Sequence, residues 1–295
     1  MVEYNPKSWL RLIFRWKGSV YSRLFFKMGL SAGLGLLAVL LNESIGFKLP
    51  NSAHALVGVA LGLLLVFRTN ASYDRWWEGR KLLGAMVNRC RDLTRQFATL
   101  LPPGKGDEAR TLTRHVSLFY QVSALGLRQD RDLQALVSKG VLLEAEKQAL
   151  EPAGARGPVV LGWMSARLAR LAASGELSEW RLMGIDSNLT ALQDALGACE
   201  RIAKTPLPFA YAQHLKALVT LFVMTAPFVL VDPMKWNTPL AMAALAFALF
   251  GIDEIGIEIE EPFGEDANDL PIDKIGEGIL AATGDVLNHA GALER

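Results

Sequence analysis

The sequence predicts an all-α integral membrane protein, with four short transmembrane helices and a cytosolic helical domain. Two observations carry this. Uncharged apolar runs of 13 to 15 residues recur near both ends of the chain, and 51% of the 295 residues are hydrophobic. Between the runs lie polar stretches with apolar residues at helical spacing and few strand-type alternations. The predicted divisions are 1–80, 81–205, 206–257 and 258–295.

Residues 1–27 set Lys7, Arg11, Arg15, Lys17, Arg23 and Lys27 against one acid, Glu3. Trp9, Leu10, Leu12, Ile13 and Phe14 interleave with them. This reads as a helix at the cytoplasmic membrane surface, the alternative being an amphipathic helix on a soluble core. Met28–Asn42, extended by Leu24, Phe25 and Phe26, makes the first span. Its Gly29, Ala32, Gly33 and Gly35 permit close helix contact. A short external link, 43–52, contains Pro50.

The chain is organised around His54–Arg80. Ala55–Phe67 carries no charge, then Arg68, Asn70, Asp74, Arg75, Glu78 and Arg80 follow without a proline. A 13-residue run is short for a lipid-facing span, which needs about 20. One helix, part in the membrane and part in the cytosol and shielded by neighbours, reconciles the two halves. The positive charges of 68–95 agree with a cytoplasmic return.

Residues 81–205 read as soluble helices. Leu82, Met86, Leu93 and Phe97 stand at helical spacing, and Pro102–Gly106 forms a break. Helices are expected at 107–127, 159–173 and 178–203, with a Pro/Gly linker at 151–158. Thr205-Pro-Leu-Pro ends the last. Ala217–Val231 with Phe209–Leu215 makes a third span, Asp232–Thr238 a turn, and Pro239–Ile252 a fourth. The tail from Asp253 is acidic. Four spans put both termini on one side, and the basic N-terminus makes that side the cytoplasm. Apolar runs of this length also occur in soluble cores, so a large soluble bundle is the alternative. The charge asymmetry weighs against it.

Several chemistries are missing from the sequence. It has no GxGxxG, P-loop, HExxH or GxSxG, and its four histidines are scattered. No enzyme is indicated. Cys90 and Cys199 form no CxxC pair, so neither a disulfide framework nor a zinc site is expected. A net charge of +1 gives no general attraction to nucleic acid.

Four stretches carry a family resemblance: Arg15–Tyr21 (RWKGSVY), Phe67–Arg80 (FRTNASYDRWWEGR), Thr205–Tyr211 (TPLPFAY) and Glu261–Pro271 (EPFGEDANDLP). In this order the chain resembles the bestrophin family of ion channels, in its prokaryotic branch. The resemblance implies a homopentamer around one central pore, lined by the second membrane helix, in a bacterial inner membrane. No organic cofactor is implied; the partners are other copies of the chain, membrane lipids and permeating monovalent ions.

Val59, Leu63 and Phe67 share one helix face and match the family's hydrophobic neck, the alternative being plain helix packing. Further along that face come Asp74 and Glu78, whose carboxylates would favour cations unless Asp74 sits in a structural salt bridge. The reading leans to a sodium-like cation pore, against a chloride pore as in the animal members or a non-conducting scaffold. The family's cytosolic aperture falls at Leu207, with Thr205 second, unless this motif is a simple helix-breaking link. Asp266, Asp269 and Glu261 stand where the animal proteins hold calcium. Fewer fixed ligands weaken such a site, and a solvated acidic face is the alternative. Trp76 and Trp77 are expected as packing anchors.

Overall fold

The computed structural model describes Val2, Asn5 and residues 7–289; Glu3 and the last six residues lie outside them. All regular structure among the described residues is helical. In order the helices are α1 (Trp9–Ile13), α2 (Tyr21–Ile45), α3 (Asn51–Leu100), α4 (Gly106–Leu127), α5 (Gln134–Ser138), α6 (Glu144–Leu150), α7 (Arg156–Ala173), α8 (Glu179–Lys204), α9 (Phe209–Met234), α10 (Thr238–Glu260) and α11 (Ile272–His289). A 3₁₀ turn, Lys235–Asn237, joins α9 to α10. Three helical stretches are long and apolar enough to cross a membrane: Tyr21–Ile45, Asn51–Leu100 and Phe209–Glu260. The last contains both α9 and α10.

The chain divides into two compact units, residues 1–77 with 205–269, and residues 78–204 with 270–295. In the first, α2 packs along α10 and α9. Gly35 permits the closest approach: a Cβ there would lie 2.8 Å from Pro239 Cα. Gly29 and Gly33 have nothing within that reach, so within the protomer the small-residue stripe narrows to one position. α2 ends as helices commonly do, with Gly46 left-handed at φ 67° and its amide on the Asn42 carbonyl. Leu61 and Leu65 of α3 meet Leu215, Val219, Val223 and Ala226 of α9 and Met242 of α10 in one apolar cluster. α9 tolerates Pro227 and Pro233 in its interior. Between them the Phe228 carbonyl accepts the Leu49 amide at 2.9 Å, which ties the link after α2 to α9.

The second unit is built on α4. Leu112, Val116, Phe119 and Tyr120 are buried, with Met164 of α7, Leu192 and Leu196 of α8 and Ile279 of α11. Gly157 lets α7 come close, since a Cβ would sit 2.7 Å from Leu196 Cδ2 and 2.8 Å from Ser123 Oγ. Arg114 clamps α6 through two 2.6 Å bonds to Glu146, which also meets His115 Nε2 at 2.8 Å. Burial would raise the Glu146 carboxyl, but the bonds from Arg114, His115 and the Leu143 amide prevail and hold it at about 2. Burial pushes His115 down from its ordinary value. Cys90 and Cys199 are free and fully buried.

Five expectations change. The central helix runs 20 residues past Arg80, to Leu100: Leu83, Met86, Cys90, Leu93 and Phe97 bury one face, and no proline intervenes before Pro102. Leu83 rather than Leu82 takes the buried position. α7 begins at Arg156 inside the expected linker, since Pro158 is compatible with a first helical turn. The turn after α9 shrinks to three residues, and α10 continues eight residues past Ile252 because Asp253, Glu254 and Glu258 find partners within the unit.

Candidate functional site

On α3, at 100° per residue, Leu61, Leu65, Arg68 and Ser72 fall on one side and are buried. Val59, Leu63, Phe67, Asn70 and Asp74 fall on the opposite side. Val59 is 76% exposed, Leu63 56% and Phe67 55%. Asn70 and Asp74 are exposed as well. Beside the outward apolar stack the packed side is Leu61 and Leu65, and it turns polar further on, at Arg68 and Ser72. A stripe of large apolar groups facing outward inverts the usual arrangement of a soluble helix.

The packed side is held by charge. Arg68, 2% exposed, is ion-paired to Asp253 and lies 3.7 Å from Glu260. Lys27 pairs with Glu254, and Arg23 lies 3.8 Å from Glu254 and 3.3 Å from Asp266. Arg75 Nε donates to the Glu260 carbonyl at 3.0 Å and its guanidinium to the Thr205 carbonyl at 2.5 Å. The Leu207 amide donates to Glu260 Oε1 at 3.1 Å. These bonds tie the Thr205-Pro-Leu-Pro turn to α3 and α10, with Thr205 exposed and Leu207 half-buried. Trp76 Nε1 donates to the Asn268 carbonyl at 3.2 Å. Trp77, by contrast, is 47% exposed, so only Trp76 is an anchor within the protomer.

The other predicted residues separate. Among the described residues Asp74 makes no ion pair. Glu78 opens the second unit and lies 3.4 Å from Arg201, so its charge is partly engaged. Asp269 is buried, and its Oδ2 accepts the Asp266 amide at 2.7 Å. Burial foremost, with the charges of Asp266, Glu258 and Glu261 adding, raises it to about 6. Asp266 is taken by Arg23, and Glu261 is exposed. Asp269 Oδ1 lacks a partner, but one oxygen falls far short of the six to eight that calcium takes. Among the described residues no three His, Cys, Asp or Glu side chains group to hold a metal. The residues present do not fit a calcium site.

Sequence reasoning missed Asp253, Glu254 and Glu258 as buried partners, assigning them to a tail. A signal existed: three acids at positions 253, 254 and 258 continue the helical register of α10, while Lys27 and Arg68 end other apolar runs.

Apolar spans, a helix with an outward apolar stripe and a buried charge layer define a helical membrane protein. Residues 1–285 match the family model described as Bacterial/Fungal Bestrophin protein, and the chain belongs to the bestrophin family. It is 36% identical to the voltage-dependent anion channel-forming protein sll1024 of Synechocystis sp., covering 96% of this chain and 93% of that one. It is 31% identical to the voltage-dependent anion channel-forming protein YneE of Escherichia coli K12, covering 93% and 90%. A crystal structure of a bacterial bestrophin homolog from Klebsiella pneumoniae superposes with a TM-score of 0.84 at 29% identity, over 89% of this chain and 98% of that chain.

Proposed function

We propose that this chain forms a homopentameric ion channel in a bacterial inner membrane. Four spans, α2, the first part of α3, α9 and α10, leave both termini in the cytoplasm. The observation that carries the reading is the exposed stripe of Val59, Leu63 and Phe67 opposite the buried Arg68 side of α3. Five copies facing one axis make three stacked apolar rings, a constriction that gates by dewetting. Leu207 and Thr205, tethered through Arg75 and Glu260, frame a second constriction at the cytosolic exit. Lipids cover the outer faces of α2, α9 and α10.

The permeant class is a monovalent anion such as chloride. The names of the curated relatives support this over the cation leaning taken from the sequence. A cation pore is the second reading, and the observation that favours it is Asp74, an exposed carboxylate on the same face as the rings.

Reversal potentials in planar bilayers under a sodium chloride gradient test both. Reversal near the chloride potential, unmoved by Asp74→Ala, supports the anion reading. Reversal near the sodium potential, moving towards zero in Asp74→Ala, replaces it with the cation pore. Absence of current from well-assembled protein removes the channel reading in favour of a membrane scaffold.

A further inference from the structure

Where α3 crosses α10, Gly256 is buried in α10 and faces three polar atoms of α3. A Cβ built on Gly256 would meet Arg68 Nε at 3.9 Å, Ser72 Oγ at 3.9 Å and Thr69 Oγ1 at 4.0 Å, and nothing nearer. Arg68 and Ser72 are 2% and 0% exposed, yet Arg68 Nε and Ser72 Oγ have no protein partner. Thr69 Oγ1 spends its proton on the Leu65 carbonyl at 2.9 Å, leaving lone pairs to accept. Leaving such buried groups unpaired is costly, and glycine in a helix interior is itself unfavourable relative to alanine. Both costs point to an occupant.

We propose that Gly256 keeps open a site for one ordered water, bound by Arg68, Ser72 and Thr69. The water accepts from Arg68 Nε–H, donates to Thr69 Oγ1 and exchanges its remaining bond with Ser72 Oγ. Three such bonds are the usual complement of a buried water. The occupant is neutral because of the surrounding charges. Arg68 already faces Asp253 and Glu260, which repel an anion, and the Arg68 N–H repels a cation. The site lies one residue beyond Phe67 on the packed side of α3. It satisfies the one guanidinium nitrogen that Asp253 and Glu260 leave free.

The test uses the full-length oligomer in detergent. A structure resolving other buried waters shows one density peak within hydrogen-bond distance of Arg68 Nε, Ser72 Oγ and Thr69 Oγ1. No peak overturns the proposal, and an anomalous bromide signal after a soak overturns it in favour of an anion. Thermal melting supplies a second readout. Gly256→Ala fills the space without a hydrogen bond and melts several degrees below the parent. Gly256→Ser puts a hydroxyl where the water sits and recovers most of that loss. Helix propensity alone predicts the opposite order, alanine most stable, and observing that order overturns the proposal.

Discussion

Removing the Asp253 carboxylate isolates the energetics of the layer beneath the apolar stripe. Arg68 is 2% exposed, and the Asp253 side chain 7%. Truncating one partner of a buried pair leaves an uncompensated charge and costs about 3–5 kcal/mol. Here Glu260 remains 3.7 Å from Arg68, so Asp253→Ala falls at the low end, about 3 kcal/mol. At about 2–4 °C per kcal/mol for a large domain, the melting temperature drops by roughly 6–12 °C. Differential scanning fluorimetry of the oligomer in detergent reads this directly. The double variant Arg68→Met with Asp253→Leu replaces both charges by apolar groups and should regain most of the loss, because desolvation offsets much of a buried pair's attraction. A single variant melting within ~2 °C of the parent, or a double variant no better than the single, would refute the claim that this pair is tightly buried.

Other consequences can be checked together. Gly35→Leu forces side-chain atoms against the Pro239 backbone, 2.8 Å from the first added carbon; overpacking of this kind costs about 1–3 kcal/mol and lowers the yield of folded protein on size exclusion. Glu146 has a folded pKa of about 2 against an ordinary 4.5, so its stabilisation is complete above pH ~4.5 and is lost as pH falls towards ~2. Glu146→Gln should remove that slope from melting curves taken across pH. Phe67→Ala removes the ring nearest the polar half of α3, and single-channel recordings should show higher conductance. Arg75→Ala frees the Thr205 carbonyl from its tether, and limited proteolysis should cut the Thr205–Pro208 turn faster than in the parent.

The helical class was legible because apolar runs, prolines and helical spacing are local signals. α4 and α8 begin and end within a residue or two of expectation for that reason. α10 was read short because a hydropathy window stops at the first acids, Asp253 and Glu254. What keeps those acids helical and buried is Arg68 and Lys27, some 185 and 227 residues away in sequence, and no spacing rule reaches that far. Val59, Leu63 and Phe67 were singled out by the family resemblance, since a recurrence every four residues fits plain helix packing as well. That this face is the exposed one needed the structure, since periodicity does not say which side is packed. Gly35 looks like Gly29 and Gly33 in the sequence; only the neighbouring helix, with Pro239 Cα 2.8 Å from a Cβ at position 35, tells a required glycine from a tolerated one.

The two cysteines make this chain its own labelling background. Cys90 and Cys199 are fully buried and unlinked, and burial pushes the Cys199 thiol up to about 12, so it holds almost no thiolate at neutral pH. A single cysteine introduced at Val59, Leu63 or Phe67 would then be the only thiol within reach of a water-borne maleimide. The speed of modification at each depth would trace where water stops along the stripe, in the native protein and without first deleting any residue.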